Sequence, residues 1–574
     1  MCGILSILRY QEYICSSIED ITDNFMKNNQ RGPEKSDFIY DQSYNYILGF
    51  HRLAINGCAE PASMQPLIFN NKILICNGEI YNWRELANLS KSECTTGSDC
   101  EIIIHLYEKY GIKRTLELLD GVFAFTLIDK TNNKAFIARD PFGVRPLFVW
   151  SLDGNYASPL VFASELKLGM GITNYNPRPF PPGHFLEMDL FVNDKSIIEN
   201  IRTLSTFENM VRPYYLINSS INTAIQTKEQ AFPLIRNALI SAVEKRITSN
   251  NRDRGAVCLL SGGLDSSLIS ALVAKYLKEK GNNEKLHTWS IGMKGSEDLK
   301  YAKIVANHIG SIHHEVLLSE DEFFDAIPDV IKAIESNDTT TVRASVGNWL
   351  ISKFIRENTE DKIVFNGDGS DEITGGYLYF HCAPGPIEFD IECKRLLEDI
   401  HLFDVLRSDR CISSHGLEAR TPFLDKNFVD TYLSIPPSLR DHALNNKCEK
   451  YLLREAFKDT GLLPDSILFR TKEAFSDGVS TDKKSWFEII QDYACILTGI
   501  KDKKEAEQTY YDNYFNKWYG KNKIRGIDTK YIMPYKWMPR FVDATDASAR
   551  TLKVYKNINL SENKSSSENL KMEL

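Results

Sequence analysis

Residues 256–277 read AVCLLSGGLDSSLISALVAKYL, and this stretch decides the fold of the second half of the chain. An apolar run ends at Leu260, the segment SGGLDSS follows at 261–267, and apolar residues then recur at helical spacing. The pattern predicts a buried strand, a tight loop and a helix. Glycines let the backbone approach an anion closely, and the amides and dipole of a helix N-terminus favour phosphate. The stretch therefore predicts a phosphate-binding loop, although an ordinary turn before a capped helix would use the same residue types.

Strands and helices alternate around this loop. LHTWSIGM at 286–293 and HHEVLL at 313–318 are predicted strands, and DLKYAKIVANHIG at 298–310 is the predicted helix between them. Such alternation is typical of a parallel, doubly wound sheet that binds ligands at the carboxyl ends of its strands. The sequence therefore predicts an α/β domain in the second half.

A second loop, in KIVFNGDGSDEITGGY at 362–377, follows another apolar strand. Its carboxylates Asp368, Asp371 and Glu372 lie among glycines, where short acidic side chains can hold Mg²⁺ through oxygen while substrate phosphates complete the shell. A solvated acidic turn is the alternative. The position after a buried strand favours the magnesium site.

The first 190 residues have a different pattern, with short apolar strands such as KILICNGEIYN, GVFAFTLID and KAFIARDPFGVRPL separated by turns. One helix, DCEIIIHLYEKYG, interrupts them, which predicts an α+β layered domain. Between about 193 and 230 the chain becomes polar and irregular. We therefore predict a first domain at 1–190, a linker at 191–230, a second domain at 231–550 and a disordered tail at 551–574.

Composition limits the classes of function. The net charge of -9 argues against a nucleic-acid binder, and no apolar run reaches the roughly 18–20 residues that span a bilayer. The 12 cysteines form no C-x-x-C pair, and no signal peptide precedes the first strand. These features predict reduced thiols, a cytosolic location and small-molecule chemistry.

The chain opens with MCGILSIL. Removal of Met1 would give Cys2 a free α-amine beside its thiol, and an amine with a pKa near about 7.7–8.0 can take the thiol's proton. Cys2 could then act as a nucleophile without a histidine. The alternative is a buried structural cysteine on an apolar strand.

Together these segments resemble the glutamine-dependent asparagine synthetases, in which a class II glutaminase precedes an ATP-pyrophosphatase domain. The resemblance extends from Cys2 to about Arg550. It implies an Ntn-type αββα sandwich, an adenine nucleotide α-hydrolase-like second domain, an ammonia tunnel between them and a homodimer. The motifs that carry it occur in order: MCGI, RGPE, HRLAI, NGEIYN, GSDCE, LDGVFAF, ARDPFGVRPL, SGGLDSS, ESNDTTTVRAS, NGDGSDE, HGLEARTPFLD, REAF, KEAFSDGV and PYKWMPR.

For the first domain, the resemblance implies a complete site for glutamine. Cys2 would attack the carboxamide and form a thioester, which water then hydrolyses to glutamate. The Asn77 side chain and the Gly78 amide would donate to the oxyanion. Arg52 would bind the α-carboxylate of glutamine, and Glu79 and Asp99 would hold its α-ammonium.

For the second domain, the resemblance implies attack of the aspartate β-carboxylate on ATP, which gives β-aspartyl-AMP and pyrophosphate, followed by displacement of AMP by ammonia. Mg²⁺ would be organised by Asp265 and Asp371. Thr340, Thr341, Arg343 and Lys450 would line the activation site. The implied ATP-binding residues are Leu259, Ser261, Gly262, Gly263, Asp265, Ser266, Ser267, Ile291 and Gly367.

The chain departs from the family pattern at three positions. Glu34 replaces Asp in RGPE, and Asn366 replaces Ser in NGDGSDE. Asp368 replaces a Glu that is often assigned as general base toward ammonia, and it is one methylene shorter. Misplacement of a catalytic group by about 1 Å can cost on the order of 10²-fold in rate. Amidation is therefore the step that this change affects most.

Three alternatives to asparagine synthesis remain open. An amidotransferase of the same architecture would share the ATP and glutamine motifs but amidate a different carboxylate. A β-lactam-forming relative would lack the N-terminal cysteine that this chain has. A weakened regulatory protein that senses glutamine or nucleotide would be supported only by Asp368 and Asn366.

Overall fold

The computed structural model describes a large part of the 574-residue chain. The described residues are 1–10, 16–58, 60–151, 160–172, 177–191, 207–217, 220–249, 254–281, 284–445, 447–470, 475–480, 484–520 and 537.

Two six-stranded antiparallel sheets form the first domain. Their strands are β1 (Gly3–Leu8), β2 (Lys35–Asp41), β3 (Tyr46–Arg52), β4 (Leu67–Phe69), β5 (Lys72–Ile80), β6 (Gly121–Asp129), β7 (Lys134–Arg139), β8 (Phe148–Ser151), β9 (Leu160–Ala163), β10 (Arg178–Pro179), β11 (His184–Asp189) and β12 (Val211–Pro213). One sheet has the order β10-β8-β9-β1-β3-β2, and the other has the order β12-β11-β7-β6-β5-β4.

The two sheets pack face to face, with helices on both outer faces. Ile4 and Leu48 of one sheet and Ile75 and Ile137 of the other are fully buried in a shared core. Helix Ile18–Lys27 covers the first sheet through Phe25, whereas helices Trp83–Ser90 and Ile102–Leu118 cover the second. The four layers confirm the predicted αββα sandwich. The expectation of one helix was wrong, because helix Ile18–Lys27 buries only Ile21 and Phe25 and most of its other residues are polar.

A five-stranded parallel sheet organises the second domain, in the order β15-β14-β13-β16-β17. Its strands are β13 (Ala256–Leu259), β14 (His287–Met293), β15 (Ile312–Leu318), β16 (Ile363–Phe365) and β17 (Glu418–Arg420). The chain winds one way from β13 to β15 and the other way from β16 to β17. The topological switch point therefore lies between β13 and β16, where such sheets bind ligands.

Helices surround this sheet and confirm the doubly wound α/β prediction. They are Lys228–Thr248, Leu264–Glu279, Glu297–Ile309, Glu320–Asp325, Ile327–Ile334, Thr339–Asn358, Ser370–Thr374, Pro386–Asp399, Asp404–Ser413, Lys426–Ser434, Pro437–Arg440, Tyr451–Phe457, Asp465–Leu468, Phe475–Gly478, Trp486–Thr498 and Lys503–Tyr519. Two further short helices, Leu166–Gly169 and Phe207–Met210, belong to the first domain. Among the described helices, none combines the length and the apolar character that a membrane crossing requires.

The predicted linker at 191–230 is partly structured. Strand β12 pairs with β11, so the first domain continues to Pro213, and helix Lys228–Thr248 begins before the predicted boundary at 231. Strand β12 has only three residues and lies at the edge of its sheet with Arg212 and Pro213 exposed, so a polar composition did not exclude it. The predicted tail at 551–574 lies outside the described residues.

Buried ion pairs join the two domains. Arg31 of the first domain forms a bidentate pair with Asp409, at 2.6 and 3.0 Å. A second pair has its cation on the second domain, because Arg410 lies 3.0 Å from the Glu165 carboxylate of the first domain. Each of these side chains is almost fully excluded from solvent. The domains are therefore held in register by charges that would be costly to separate.

Candidate active sites

Cys2 lies directly before β1, and its sulfur faces Leu53. The Leu53 amide donates to Sγ at 3.5 Å, and the thiol donates to the Leu53 carbonyl oxygen at 3.6 Å. Burial raises the pKa of the Cys2 thiol to about 11. The thiol is therefore protonated at neutral pH, and its activation requires a nearby base.

Met1 separates Cys2 from the second domain. The Met1 amine donates to the carbonyl oxygen of Leu417 at 3.1 Å, and burial lowers the pKa of this amine to about 5. An amine buried at this place is neutral at pH 7 and can accept a proton. While Met1 is attached, the nitrogen of Cys2 is a peptide amide and cannot do so.

Asn77 and Gly78 lie near the end of β5. The Asn77 side chain is fully buried, and neither its amide nitrogen nor its oxygen has a hydrogen-bond partner among the described residues. A buried amide left unpaired costs about 1–3 kcal/mol, so this group is well suited to a ligand oxygen. At Gly78, a Cβ atom would lie 2.5 Å from the Val122 carbonyl oxygen, so no larger residue fits.

Glu79 and Asp99 form a buried acidic pair that Asn56 bridges. The Asn56 amide donates to Glu79 Oε2 at 2.8 Å and to Asp99 Oδ1 at 3.2 Å. Burial raises the pKa of Asp99 to about 6, and burial together with the Asp99 charge raises the pKa of Glu79. Arg420 of the second domain lies 3.4 Å from Glu79 Oε2 and offsets part of this cost. The predicted contact of this pair with a substrate ammonium stays a prediction.

Arg52 is the last residue of β3, in the sheet that faces the one with β5. Its Nη2 donates to the Gly57 carbonyl oxygen at 2.8 Å and to the Ser63 hydroxyl. The guanidinium thus holds the loop that carries Asn56, and it remains half-exposed. Its predicted contact with a substrate carboxylate stays a prediction.

The SGGLDSS loop connects β13 to helix Leu264–Glu279. Gly262 has a φ of +75°, and a Cβ atom there would lie 2.5 Å from the Ala302 amide nitrogen. Gly263 occupies the N-cap position and offers no side chain to the first helical amides. These amides are therefore oriented toward whatever ligand lies before the helix. Ser261 Oγ lies 3.0 Å from Ser266 Oγ, which fixes the loop.

The acidic loop after β16 packs directly on this glycine-rich loop. A Cβ atom at Gly367 would lie 2.8 Å from the Ser266 amide nitrogen and 2.7 Å from Asp265 Cβ. The two loops that the sequence singled out therefore meet at the switch point of the sheet. Leu259 and Ile291 lie on the neighbouring strands β13 and β14, and Ser267 is fully buried.

Lys450 joins Asp265 and Asp371 across these two loops. Its Nζ lies 2.6 Å from Asp265 Oδ2 and 2.5 Å from Asp371 Oδ1. Although burial opposes the charged form, the two carboxylates raise the pKa of Lys450 above its usual value. A Cβ at Gly376 would lie 2.1 Å from Lys450 Cε, so glycine is needed for the ammonium to reach both acids. The two carboxylates already hold a cation between them, and their oxygen donors fit Mg²⁺.

Asp368 lies deeper in the same loop. Asn366 Nδ2 donates to Asp368 Oδ2 at 2.6 Å and also contacts the Ser408 hydroxyl at 2.6 Å. Burial and the nearby Asp404 raise the pKa of Asp368 to about 8. A group with this pKa can both accept and release a proton near neutral pH.

Arg343 pairs with a carboxylate outside this cluster. Its Nε and Nη2 form a bidentate pair with Glu507, at 2.7 and 2.5 Å. Asp338 caps the helix that carries Arg343, because its carboxylate accepts from the Thr341 amide at 2.9 Å and from the Thr341 hydroxyl at 2.8 Å, and Thr340 lies beside Thr341 in the first turn. The predicted role of these three residues at the activation site stays a prediction, and the Arg343 charge is balanced by Glu507.

Sequence reasoning missed three residues of these sites: Asn56, Asp404 and Arg420. Asn56 follows the quoted motif HRLAI, and Arg420 lies within HGLEARTPFLD without an assigned role. Asp404 lies in a segment that no motif covered. Motif order indicated the region in two of the three cases, but only the fold shows the contacts.

Two family models match the chain in succession. The one described as "Glutamine amidotransferase domain" matches residues 1–212. The one described as "Asparagine synthase" matches residues 234–386 and 384–522. The "Asparagine synthetase [glutamine-hydrolyzing]" of Gallus gallus is 42% identical over 578 residues, which cover 97% of this chain and 99% of that protein.

The chain belongs to the glutamine-hydrolysing asparagine synthetase family. Members from Bos taurus and Homo sapiens are 42% and 41% identical over 589 residues each, again with 97% of this chain and 99% of theirs. The two domains described above thus correspond to the two halves of an asparagine synthetase, and the family resemblance predicted from the motifs is confirmed.

Proposed function

We propose that this chain converts L-aspartate, L-glutamine, ATP and water into L-asparagine, L-glutamate, AMP and diphosphate. It is a carbon–nitrogen ligase with glutamine as amido donor. The observation that carries the proposal is the match to glutamine-hydrolysing asparagine synthetases over 97% of the chain, together with the two family models, whose ranges contain Cys2 and the SGGLDSS loop.

In the first half-reaction, Cys2 Sγ attacks the carboxamide carbon of glutamine. The bond to nitrogen breaks, ammonia leaves, and water then hydrolyses the thioester to glutamate. Removal of Met1 frees the Cys2 amine in the same buried region, where it takes the thiol's proton. Glu79 and Asp99 hold the substrate ammonium, and the unpaired Asn77 amide meets the developing oxyanion.

In the second half-reaction, the glycine-rich loop and its helix N-terminus bind the phosphates of ATP. The aspartate β-carboxylate attacks the α-phosphorus, and pyrophosphate leaves. We propose that Asp265 and Asp371 hold Mg²⁺, which neutralises phosphate charge when bound. Lys450 supplies a further positive charge at the same place and keeps the two carboxylates in position.

Amidation needs a proton acceptor, because attacking ammonia becomes a cation as the carbon–nitrogen bond forms. Asp368 is suited to this role through its pKa of about 8, which burial and Asp404 set. Asn366 donates to its carboxylate and fixes its direction. We propose that this pair does the work that the family pattern assigns to a longer glutamate.

Ammonia must travel between the two sites without becoming ammonium. The Met1 side chain fills space between the domains and packs with Leu417 and Ala419 of the second domain. Its removal would leave a void that begins at Cys2 and reaches β17. The Arg420 carbonyl oxygen of β17 accepts from the Asn366 amide at 3.1 Å, so β17 also borders the loop that carries Asp368.

A cytosolic location and a homodimer complete the proposal. The described cysteines are all free thiols, as expected in a reducing compartment. The homodimer rests on the family resemblance alone, and light scattering of the purified chain tests it directly.

The deciding experiment measures asparagine and pyrophosphate from aspartate and Mg-ATP, with glutamine or ammonium as nitrogen donor, for the wild type and Cys2→Ala. We expect both donors to support the wild type and only ammonium to support the variant. If glutamine is hydrolysed but neither donor yields asparagine, an amidotransferase for another carboxylate or a weakened regulatory protein replaces the proposal.

A further inference from the structure

A cluster of three metal-ligating side chains lies beside the glutamine pocket and takes no part in the proposed reaction. The ligand atoms of Cys94, Glu101 and His105 all lie within 4.8 Å of one another. His105 Nε2 lies 3.1 Å from Glu101 Oε1, one helical turn away along the chain. A carboxylate–imidazole pair alone would be ordinary, but the sulfur of Cys94 adds a third donor of a different kind.

The spacing of these atoms fits a small tetrahedral cation. Zn²⁺ binds nitrogen and oxygen at about 2.0–2.2 Å, so two of its ligand atoms are about 3.3 Å apart. The observed 3.1 Å between His105 and Glu101 is close to this separation. Sulfur and imidazole select zinc-like cations over magnesium or calcium, which prefer oxygen alone.

Hydrogen bonds from the backbone and a hydroxyl fix the Glu101 carboxylate, as is typical of carboxylates that bind a metal. It accepts hydrogen bonds from the amides of Thr95 and Thr96, at 2.9 and 2.7 Å, and from the Thr96 hydroxyl at 2.6 Å. Such outer contacts orient a ligand and strengthen metal binding. The cluster is also reachable, since the His105 side chain is 19% exposed and Cys94 is half-buried.

We propose that Cys94, Glu101 and His105 form a binding site for a thiophilic divalent cation of the Zn²⁺ class, which regulates glutamine use. A water molecule completes the four ligands. The thiol proton is released to solvent when the sulfur binds the cation.

The site is coupled to the glutamine pocket through Glu101. This carboxylate holds the amides of Thr95 and Thr96, and Asp99 precedes it by two residues in the same short 3-10 helix. A cation that draws the Cys94 sulfur toward Glu101 and His105 shifts the segment 94–101, which carries Asp99. Glutamine binding therefore weakens, while ammonium-dependent synthesis, which does not use Asp99, is unchanged. This kinetic part rests on the proposed function.

The binding test uses Co²⁺ as a coloured substitute for Zn²⁺, added to the full-length chain without substrates. We expect one tightly bound Co²⁺ per chain, with a thiolate-to-metal charge-transfer band and the visible bands of a tetrahedral site. Cys94→Ser should abolish the charge-transfer band, and His105→Gln should weaken binding by at least about tenfold. Cys495→Ser, at a thiol in the distant helix Trp486–Thr498, is the matched control and should keep the band.

Cys2→Ala separates this site from the nucleophile, and it should also keep the band. Absence of the band in the wild type, its survival in Cys94→Ser or its loss in Cys2→Ala overturns the site. Stoichiometric Zn²⁺ should raise the KM for glutamine in the wild type but not in Cys94→Ser. A normal Co²⁺ band with an unchanged KM overturns the regulatory part. Because the band needs no substrate, its outcome is independent of whether the chain makes asparagine.

Discussion

Arg420 of the synthetase domain lies 3.4 Å from the Glu79 carboxylate of the glutaminase domain. Both side chains are buried, and Arg420 also lies 2.7 Å from Glu418 on its own strand. A cation from one domain thus balances a buried acid of the other. The charge on Glu79 depends on correct docking of the two domains.

Arg420→Met should shift the pH dependence of glutamine use upward. Burial and the Asp99 charge raise the pKa of Glu79 and Arg420 lowers it, so removal of Arg420 raises this pKa further and favours the protonated carboxyl. The substrate ammonium then loses a partner. We expect kcat/KM for glutamine to fall at pH 7 and to recover partly at higher pH. Ammonium-dependent synthesis serves as the internal control, and an equal loss with both donors would indicate a general structural defect instead.

Glutamine binding in the wild type should weaken as the pH falls through about 6. Burial raises the pKa of Asp99 to about 6, so acid protonates this carboxylate in the free enzyme and removes a charge that the ammonium needs. The KM for glutamine is therefore expected to rise below this pH and to level off above it. Asp99→Asn should raise the KM at every pH and remove this dependence. A wild-type KM that stays flat from pH 5 to 8 would contradict the assignment.

Arg343 and Glu507 should behave as a buried ion pair. Arg343→Met leaves the Glu507 carboxylate buried without its bidentate partner, which is expected to cost about 3–5 kcal/mol of stability. Replacing both residues with methionine should recover most of this loss, as thermal unfolding would measure. If the double variant is stable and also active, Arg343 has no role in activation, whereas a stable and inactive double variant supports the predicted role.

Local sequence patterns predicted the parts of this molecule that depend on neighbouring residues. The strand, loop and helix around Gly262 follow from a short apolar run, two glycines and helical spacing. Helix Ile18–Lys27 had a readable signal as well, because Ser17 and Asp20 form a capping box, but its polar surface hid it. The order of motifs then gave the family and, with it, most of the expected site.

Contacts between distant segments could not be predicted in the same way. Arg343 and Glu507 are 164 residues apart, and nothing near Arg343 in sequence indicates that its charge is balanced. Asn56 bridges Glu79 and Asp99 only because the loop after β3 folds over the end of β5. Such partners depend on the packing of whole sheets, which local pattern does not encode.

Gly262→Ala should impair nucleotide binding more than stability. The positive φ disfavours alanine, and its Cβ would approach the Ala302 amide nitrogen to 2.5 Å, so the loop must move away from helix Glu297–Ile309. We expect a higher KM for ATP in the ammonium-dependent reaction and nearly normal glutamine hydrolysis. Gly281→Ala is a matched control, since its φ is also positive but nothing lies near its Cβ. Equal effects of the two variants would argue that backbone strain, rather than the loop's position, controls activity.

Asp368→Asn should separate activation of aspartate from its amidation. The substitution keeps the size of the side chain but removes the proton acceptor, which is expected to slow asparagine formation by about 10²–10⁴-fold. Aspartate-dependent exchange of pyrophosphate into ATP should continue, because that step needs Lys450 and the phosphate loop rather than Asp368. Asp368→Glu tests the effect of side-chain length. Asn366 donates to the Asp368 carboxylate at 2.6 Å, so the longer glutamate must move Asn366 aside. The combined variant Asn366→Ser with Asp368→Glu should work better than Asp368→Glu alone. If Asp368→Asn makes asparagine at the wild-type rate, the proton acceptor lies elsewhere in the cluster, and Glu372 is the next carboxylate to replace.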